Sequence, residues 1–244
     1  MRIQLPFAVL AATFVCSPFS APAHAQRART FVASYGNDSN PCTFLSPCKT
    51  FQQAVNVVAV GGEVTAIDSA GFGPVNITQS VTITSPPGVE AGIVPTSGGD
   101  AITISNTVPA NITLRGLTLE GSGVGLRGIH VTSSLPYLPV LEETINIVAC
   151  VVKDFTDSGI LVQPTSSGFG TAPFMRVVIA DSLVTGNGAD GIKLAPGQVN
   201  FGAFIYRTIV DSNSGSIDIS VDTGGTAFAE LNDSNVDNNA RAFR

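Results

Sequence analysis

Apolar and polar residues alternate along this chain in short runs, and the runs return. Val81-Thr-Ile-Thr84, Ala101-Ile-Thr-Ile104, Gly128-Ile-His-Val131, Gly159-Ile-Leu-Val162, Gly191-Ile-Lys-Leu194 and Ser216-Ile-Asp-Ile219 are separated by Gly-rich breaks. A period of two marks a strand with one face turned inward. A second run recurs between them: ITLRGLTLEG from Ile112, INIVACVVKD from Ile145, VVIADSLVTG from Val177, FIYRTIVDSN from Phe204 and FAELNDSNVD from Phe228. Anchored on Leu119, Val152, Val184, Val210 and Val236, the steps are 33, 32, 26 and 26 residues. Steps of that size signal a solenoid, each coil too thin to bury a core alone. No coil carries the helical period, which excludes a helical solenoid.

The last three coils place Asn187, Asn213 and Asn239 at one corner, 26 residues apart. Asparagines stacked at one turn can hydrogen-bond along the stack, and Asn also suits left-handed turn geometry by itself. The repeats, the Gly-Ile strand starts and the Asn column together resemble the pectate-lyase-like superfamily of right-handed parallel β-helices. The resemblance implies an all-β, single-stranded right-handed parallel β-helix. The segment FVASYGNDSNPCTFLSPCKTFQQAVNVVAVGGEVTAID is similar to the opening of many exported bacterial β-helix proteins. There, an initial strand, a G-x-D-x-x-P loop and a short amphipathic helix precede the first coil. Thr50 and Gln53 form a capping-box pair that starts a helix over residues 51–58. Phe51, Ala54, Val55 and Val58 share one face of it, which is expected to plug the N-terminal end of the core. The division that follows is 1–25, 26–60 (cap with disulfide loop and helix) and 61–244 (β-helix). The resemblance specifies fold and leaves activity open, since one fold hosts many functions.

Residues 1–25 read as a secretory signal peptide: Arg2, an apolar run from Leu5 to Val15, then Ala23-His24-Ala25 as the cleavage pattern. Nothing later approaches the roughly 18 consecutive apolar residues of a membrane span. A secreted or periplasmic location is therefore expected. That compartment is oxidising, so Cys42 and Cys48 in NPCTFLSPC are expected to pair as a disulfide. Cys150 lies in the apolar run INIVACVV and reads as a small core residue. The net charge of −6 and the lack of any basic run argue against nucleic acid as a partner. Charged residues are only 12% of the chain, so Ser, Thr, Asn and Gly carry much of the surface. For the last coil two outcomes stand open: Arg241 and Arg244 supply a polar cap, or this end packs on another copy in a homo-oligomer.

Stacked coils turn alignment into geometry, because equivalent positions form columns about one strand spacing apart. The outward position of the Gly-Ile strands reads Thr82, Thr103, His130, Leu161, Lys193 and Asp218; the residue before each strand reads Asp100, Arg127, Ser158, Asp190 and Gly215. Arg127, His130, Asp190, Lys193 and Asp218 thus form a mixed-charge patch, either a groove or a solvated face of cross-coil salt bridges. A second column reads Gly116, Ala149, Asp181, Arg207 and Asp233; the alternating signs of the last three suit a structural ion ladder, and Tyr206 beside Arg207 offers the other reading, a sugar-stacking platform. With His24 in the signal segment, His130 is the only remaining His, and no metal site or cofactor is expected. No Asp-Asp pair, Gly-His-Gly or Arg-x-x-Pro-x-x-Arg run of polygalacturonases and pectate lyases is present. The stretches 133–143 and 163–173 lengthen two successive coils, and Leu135, Tyr137, Leu138 and Phe169 there are candidate groove contacts.

The leading reading is a noncatalytic exported β-helix that binds polysaccharide or another cell-envelope component, with His130, Tyr137, Phe169, Tyr206 and Arg207 as ligand contacts. The alternative is a calcium-assisted uronate lyase. It would use Lys193 or Arg127 as base and Asp190 and Asp218 to hold the ion. The third is a structural or adhesive spacer assembling end to end.

Overall fold

The computed structural model describes residues 27–137, 142–167, 172–220 and 226–241. Residues 1–25, where a signal peptide is expected, Leu138, Phe169 and the last three residues lie outside them. Three parallel sheets run the length of the molecule, with eight, six and seven strands. One coil shows the pattern. Asn111–Arg115 lies in the eight-stranded sheet, Leu117–Glu120 in the seven-stranded sheet and Arg127–Val131 in the six-stranded sheet. The chain then returns to the eight-stranded sheet with Glu142–Val148, in register beside Asn111–Arg115. This is a parallel β-helix. Each return to the same sheet is a parallel crossover, the connection that is right-handed by rule.

The anchors chosen from sequence lie in one register column: Leu119, Val152, Val184, Val210 and Val236 pair strand to strand. Their side chains point inward, and the first four are fully buried. The first repeat needs correction. Val81–Thr84 belongs to the eight-stranded sheet, beside Asn111–Arg115. The strand that pairs with Asp100–Ile104 is Val75–Ile77, so Asn76 rather than Thr82 heads the outward column above Thr103 and His130. Both segments alternate, and alternation alone cannot say which of three sheets a strand joins.

The asparagine ladder forms as expected. Asn213 Oδ1 accepts from Asn187 N (3.0 Å) and Asn187 Nδ2 (2.8 Å). Asn239 Oδ1 accepts from the same two groups of Asn213, both at 3.0 Å. Asn213 Nδ2 also donates to the carbonyls of Val184 and Asp211. One coil earlier the register position holds Phe155, whose N–H donates to Asn187 Oδ1 at 3.1 Å. Cys150 belongs to a comparable column. Ser182, Thr208 and Ser234 follow it, and each hydroxyl donates to the carbonyl two residues back. The Cys150 thiol lies against the Val148 carbonyl in the same way, at 3.4 Å. It is therefore a hydrogen-bonding member of a ladder as well as a core residue, and burial pushes the thiol pKa up to about 11, which keeps it protonated.

At the N-terminal end the helix spans Phe51–Val57, packed on the strands Arg27–Val32, Val58–Ala66 and Val75–Ile77. Phe51, Ala54, Val55 and Val58 are buried, and the Phe51 ring meets Phe72 at 5.0 Å. Thr50 Oγ1 accepts from Gln53 N as a capping residue should. The reciprocal half of the expected box is supplied differently: Asp38 Oδ1 accepts from Lys49 N (2.8 Å) and Thr50 N (2.9 Å). Cys42 and Cys48 are joined in a disulfide, and Gly36 lies so close to it that a Cβ would stand 2.1 Å from the Cys48 carbonyl oxygen.

Candidate functional site

The six-stranded sheet carries the charged patch expected from sequence, but as two separate clusters. His130, Leu161 and Lys193 share one register column, and Leu161 between the charged pair is buried. In the first cluster Asp100 Oδ2 meets His130 Nδ1 at 2.7 Å, and Asp100 Oδ1 accepts from Arg127 Nε at 3.0 Å. Arg127 Nη1 then reaches His130 Nε2 at 3.1 Å, and Gln163 Nε2 reaches the same nitrogen at 2.9 Å. A guanidinium has donors only, so Nε2 presents its lone pair and Nδ1 carries the proton to Asp100. Both ring nitrogens are therefore occupied. Burial pushes the Asp100 carboxyl up, but the His130 hydrogen bond and the Arg127 charge outweigh it and hold it below the usual carboxylate range. His130, Asp100 and Arg127 keep only 10%, 14% and 18% of their side-chain surface. An His–Asp pair offers base chemistry where Nε2 faces a substrate; here it faces an arginine and a glutamine.

In the second cluster Lys193 Nζ lies 4.0 Å from Asp190 and 3.5 Å from Asp218. Burial and the neighbouring Asp218 push the Asp190 carboxyl above the usual carboxylate range, with Lys193 opposing. The residues do not fit the calcium arrangement of the lyase alternative. The ammonium group meant as base already stands between the two carboxylates meant for the ion, and Arg127 is committed to the other cluster. Among the described residues no three His, Cys, Asp or Glu come together as a metal-binding group.

The elongated loops pair with each other. Ser134–Pro136 and Thr165–Ser167 form a two-stranded parallel sheet. Ser166 Oγ donates to the Gln198 carbonyl at 3.3 Å, and the Tyr137 hydroxyl to Gln198 Oε1 at 3.4 Å. The excursion thus extends the coil stack by a further layer, and Leu135 is buried in the core rather than offered as a groove contact.

The outward side of the eight-stranded sheet carries a group of aromatic side chains. Along Asn200–Tyr206 the alternation buries Phe201, Ala203 and Ile205 and turns Phe204 and Tyr206 outward. Their rings lie 6.3 Å apart, 17° from parallel. Phe228 on the next strand meets Phe204 edge-on at 5.4 Å and is 49% exposed. Its ring lies over Gly202, where a Cβ would stand 2.6 Å from it, so the glycine makes room for the aromatic. The Arg176 guanidinium sits 5.7 Å from the Phe204 centroid and is held by Glu142 at 2.8 Å. Earlier on this sheet the same outward column reads Thr82, Thr113 and Asn146. Aromatic residues therefore concentrate in the C-terminal coils.

Of the residues singled out from sequence, Tyr206 belongs to this row. Arg207 sits at the adjoining corner in a bidentate pair with Asp181, at 2.6 and 2.9 Å. His130 and Tyr137 lie elsewhere, on the six-stranded side and in the added layer, and Phe169 is outside the described residues. Sequence reasoning missed Phe204, Phe228 and Arg176. The signal was present, since Phe204 and Tyr206 share parity within the run FIYRTIV.

No family model matches the chain, and no curated protein matches it. Two solved structures are similar to it. One is pectate lyase Pel9A, 12% identical with a TM-score of 0.36, the match covering 87% of this chain and 78% of that one. The other is a rhamnogalacturonan lyase, 13% identical with a TM-score of 0.44, covering 82% of this chain and 62% of that one. The likeness is one of fold. Among the described residues no helix is long and apolar enough to cross a membrane.

Proposed function

We propose that this protein is an exported β-helix that binds polysaccharide without cleaving it, along the outward face of the eight-stranded sheet. The observation that carries the reading is the row Phe204, Tyr206 and Phe228, flanked by Arg176. Phe228 is exposed and Phe204 and Tyr206 are half-buried beside it, and an apolar patch of this kind on a surface is a place to look for binding. Flat aromatic faces supply contact area at low entropy cost, and a tyrosine hydroxyl and a guanidinium at the edges supply directional hydrogen bonds. The strand ladder beneath holds the rings in place, so little freedom is lost on binding. Export follows from the reading of residues 1–25 and accords with the disulfide.

The test is affinity electrophoresis of the chain through gels containing neutral and uronate polysaccharides, with ultraviolet absorbance of unsaturated products followed in parallel. Retarded migration on one or more polymers, abolished in the double variant Phe204→Ala/Tyr206→Ala, with flat absorbance traces, is the expected result. Retardation that the double variant leaves unchanged overturns the assignment, as does its absence across the panel. A rise in absorbance overturns the noncatalytic part.

A further inference from the structure

Glu143 is fully buried, and so are its two polar neighbours, Asn106 and Ser133. It enters the core because the strand Glu142–Val148 alternates: Glu142 turns out to Arg176, Glu143 turns in. Its register neighbour is Met175, with Phe201 one coil further on and Ala110 on the other side. Asn106 Nδ2 donates to Glu143 Oε1, and Ser133 Oγ donates to the same oxygen at 3.0 Å. Two atoms are left over. Glu143 Oε2 and Asn106 Oδ1 are both buried and both without a partner.

These two orphans belong to one pair of side chains already joined by a hydrogen bond, and both are acceptors. An unmatched buried acceptor is costly, and two on hydrogen-bonded neighbours point to a common cause. A single proton supplies it. On Oε2 it converts the carboxylate into an acid with one donor, and a hydrogen bond from that donor to Asn106 Oδ1 would satisfy both orphans together. We infer that Glu143 is held in the core as a neutral carboxylic acid, donating from Oε2 to Asn106 Oδ1 while Oε1 accepts from Asn106 Nδ2 and Ser133, and that this closed acid–amide pair is a proton-dependent lock.

The surroundings agree. No charged side chain among the described residues reaches Glu143. Asn106 and Ala110 face it from one coil, Met175 and Phe201 from the other side, and Ser133 from the following connection. The stretches 138–141 and 168–171 hold no titratable residue in sequence. Burial alone pushes the acid up, to about 7, against the pull of Asn106 and Ser133. The lock closes where the chain leaves the coil for the added layer. Ser134 N donates to the Asn106 carbonyl at 2.8 Å, one residue beyond Ser133. Ionisation would leave a buried charge facing the Asn106 amide oxygen at that departure point.

The sign follows from linkage. A folded-state value raised above the unfolded one contributes stability that is complete below the unfolded value. That stability is lost as pH rises through the folded value. The window runs from the ordinary 4.5 to about 7. The inference stands apart from the binding reading, and its test uses the full chain without any ligand. Carbon-13 spectra of the glutamate carboxyls, assigned by loss of one signal in Glu143→Gln, are followed from pH 3 to pH 9. Thermal midpoints of both proteins are measured at pH 4.0 and 8.5. One carboxyl titrating near 7 is expected. Glu143→Gln, whose amide donates where the acid does, should match the wild type at pH 4.0 and melt several degrees above it at pH 8.5. A Glu143 midpoint in the ordinary glutamate range overturns the inference, as does an equal loss of thermal stability in Glu143→Gln at both pH values. Should Glu143→Gln not fold, the wild-type titration decides alone.

Discussion

The His130 cluster and the Phe204 row are built by the same device, outward side chains from successive coils, yet one is closed and the other open. Asp100, Arg127, His130 and Gln163 satisfy one another and retain little surface. Phe204, Tyr206 and Phe228 touch one another only by ring contact, and Phe228 leaves half its surface to solvent. The difference teaches where to look for function on a solenoid. Charged residues in register tend to consume each other's bonding capacity, while aromatic residues offset from one another on adjacent strands, Phe204 and Tyr206 on one and Phe228 opposite Gly202 on the next, add up to a surface.

The comparison breaks most directly at Asp100. Asp100→Ala leaves Arg127 and His130 without their carboxylate in a site with under a fifth of its surface exposed. The expected cost is about 3 kcal/mol in chemical denaturation, with polysaccharide binding unchanged in the variant that remains folded. Loss of binding without loss of stability would make the closed cluster the functional one. The same carboxyl, held low, sets an acid limb. A lowered folded value gives stability that is present above the unfolded value and lost as pH falls through the folded one. Asp100→Asn should flatten that limb while leaving the alkaline limb of Glu143 in place.

The open row should respond in the opposite sense. Phe204→Ala removes an outward ring that supports no core contact, so stability is expected to move by less than about 1 kcal/mol. Affinity for the bound polymer should fall roughly tenfold, about 1.4 kcal/mol, by calorimetric titration. A variant that unfolds instead would turn the row into packing.

Much of this was legible in the sequence, and the reasons for what was not are physical. The repeat anchors, the Asn ladder, the disulfide and the capping helix each depend on spacing, which a sequence preserves. The sheet to which Val81–Thr84 belongs depends on where the corners fall, and alternation is blind to that. His130 looked free because its partners, Asp100 and Gln163, stand 30 and 33 residues away on neighbouring coils. Glu143 gave no signal at all: an acidic residue beside Glu142 reads as surface until the parity of its strand is known.

The smallest expected effect lies at a corner, where two positions of the same turn should respond by different amounts. Gly116, Ala149, Asp181, Arg207 and Asp233 form the turn between the eight- and seven-stranded sheets. All five have positive φ, at 69°, 53°, 53°, 45° and 51°. The first four each donate the N–H to the next coil, Gly116 to Val148, Ala149 to Ala180, Asp181 to Tyr206 and Arg207 to Asn232, so the ladder continues around the bend and fixes the conformation. A left-handed residue with a Cβ costs about 1–2 kcal/mol, and glycine gives back part of that through its freer unfolded chain. Ala149 is exposed and makes no side-chain bond that its replacement would break. Ala149→Gly is therefore expected to stabilise by about 0.5 kcal/mol, a rise of a degree or two in thermal midpoint. Gly116→Ala at the same corner should destabilise clearly, because its Cβ would stand 2.6 Å from the Ser85 carbonyl oxygen on the preceding coil. Equal and opposite changes at the two positions would mean that φ alone governs the corner. A Gly116 penalty well above the Ala149 gain would mean that coil stacking governs it.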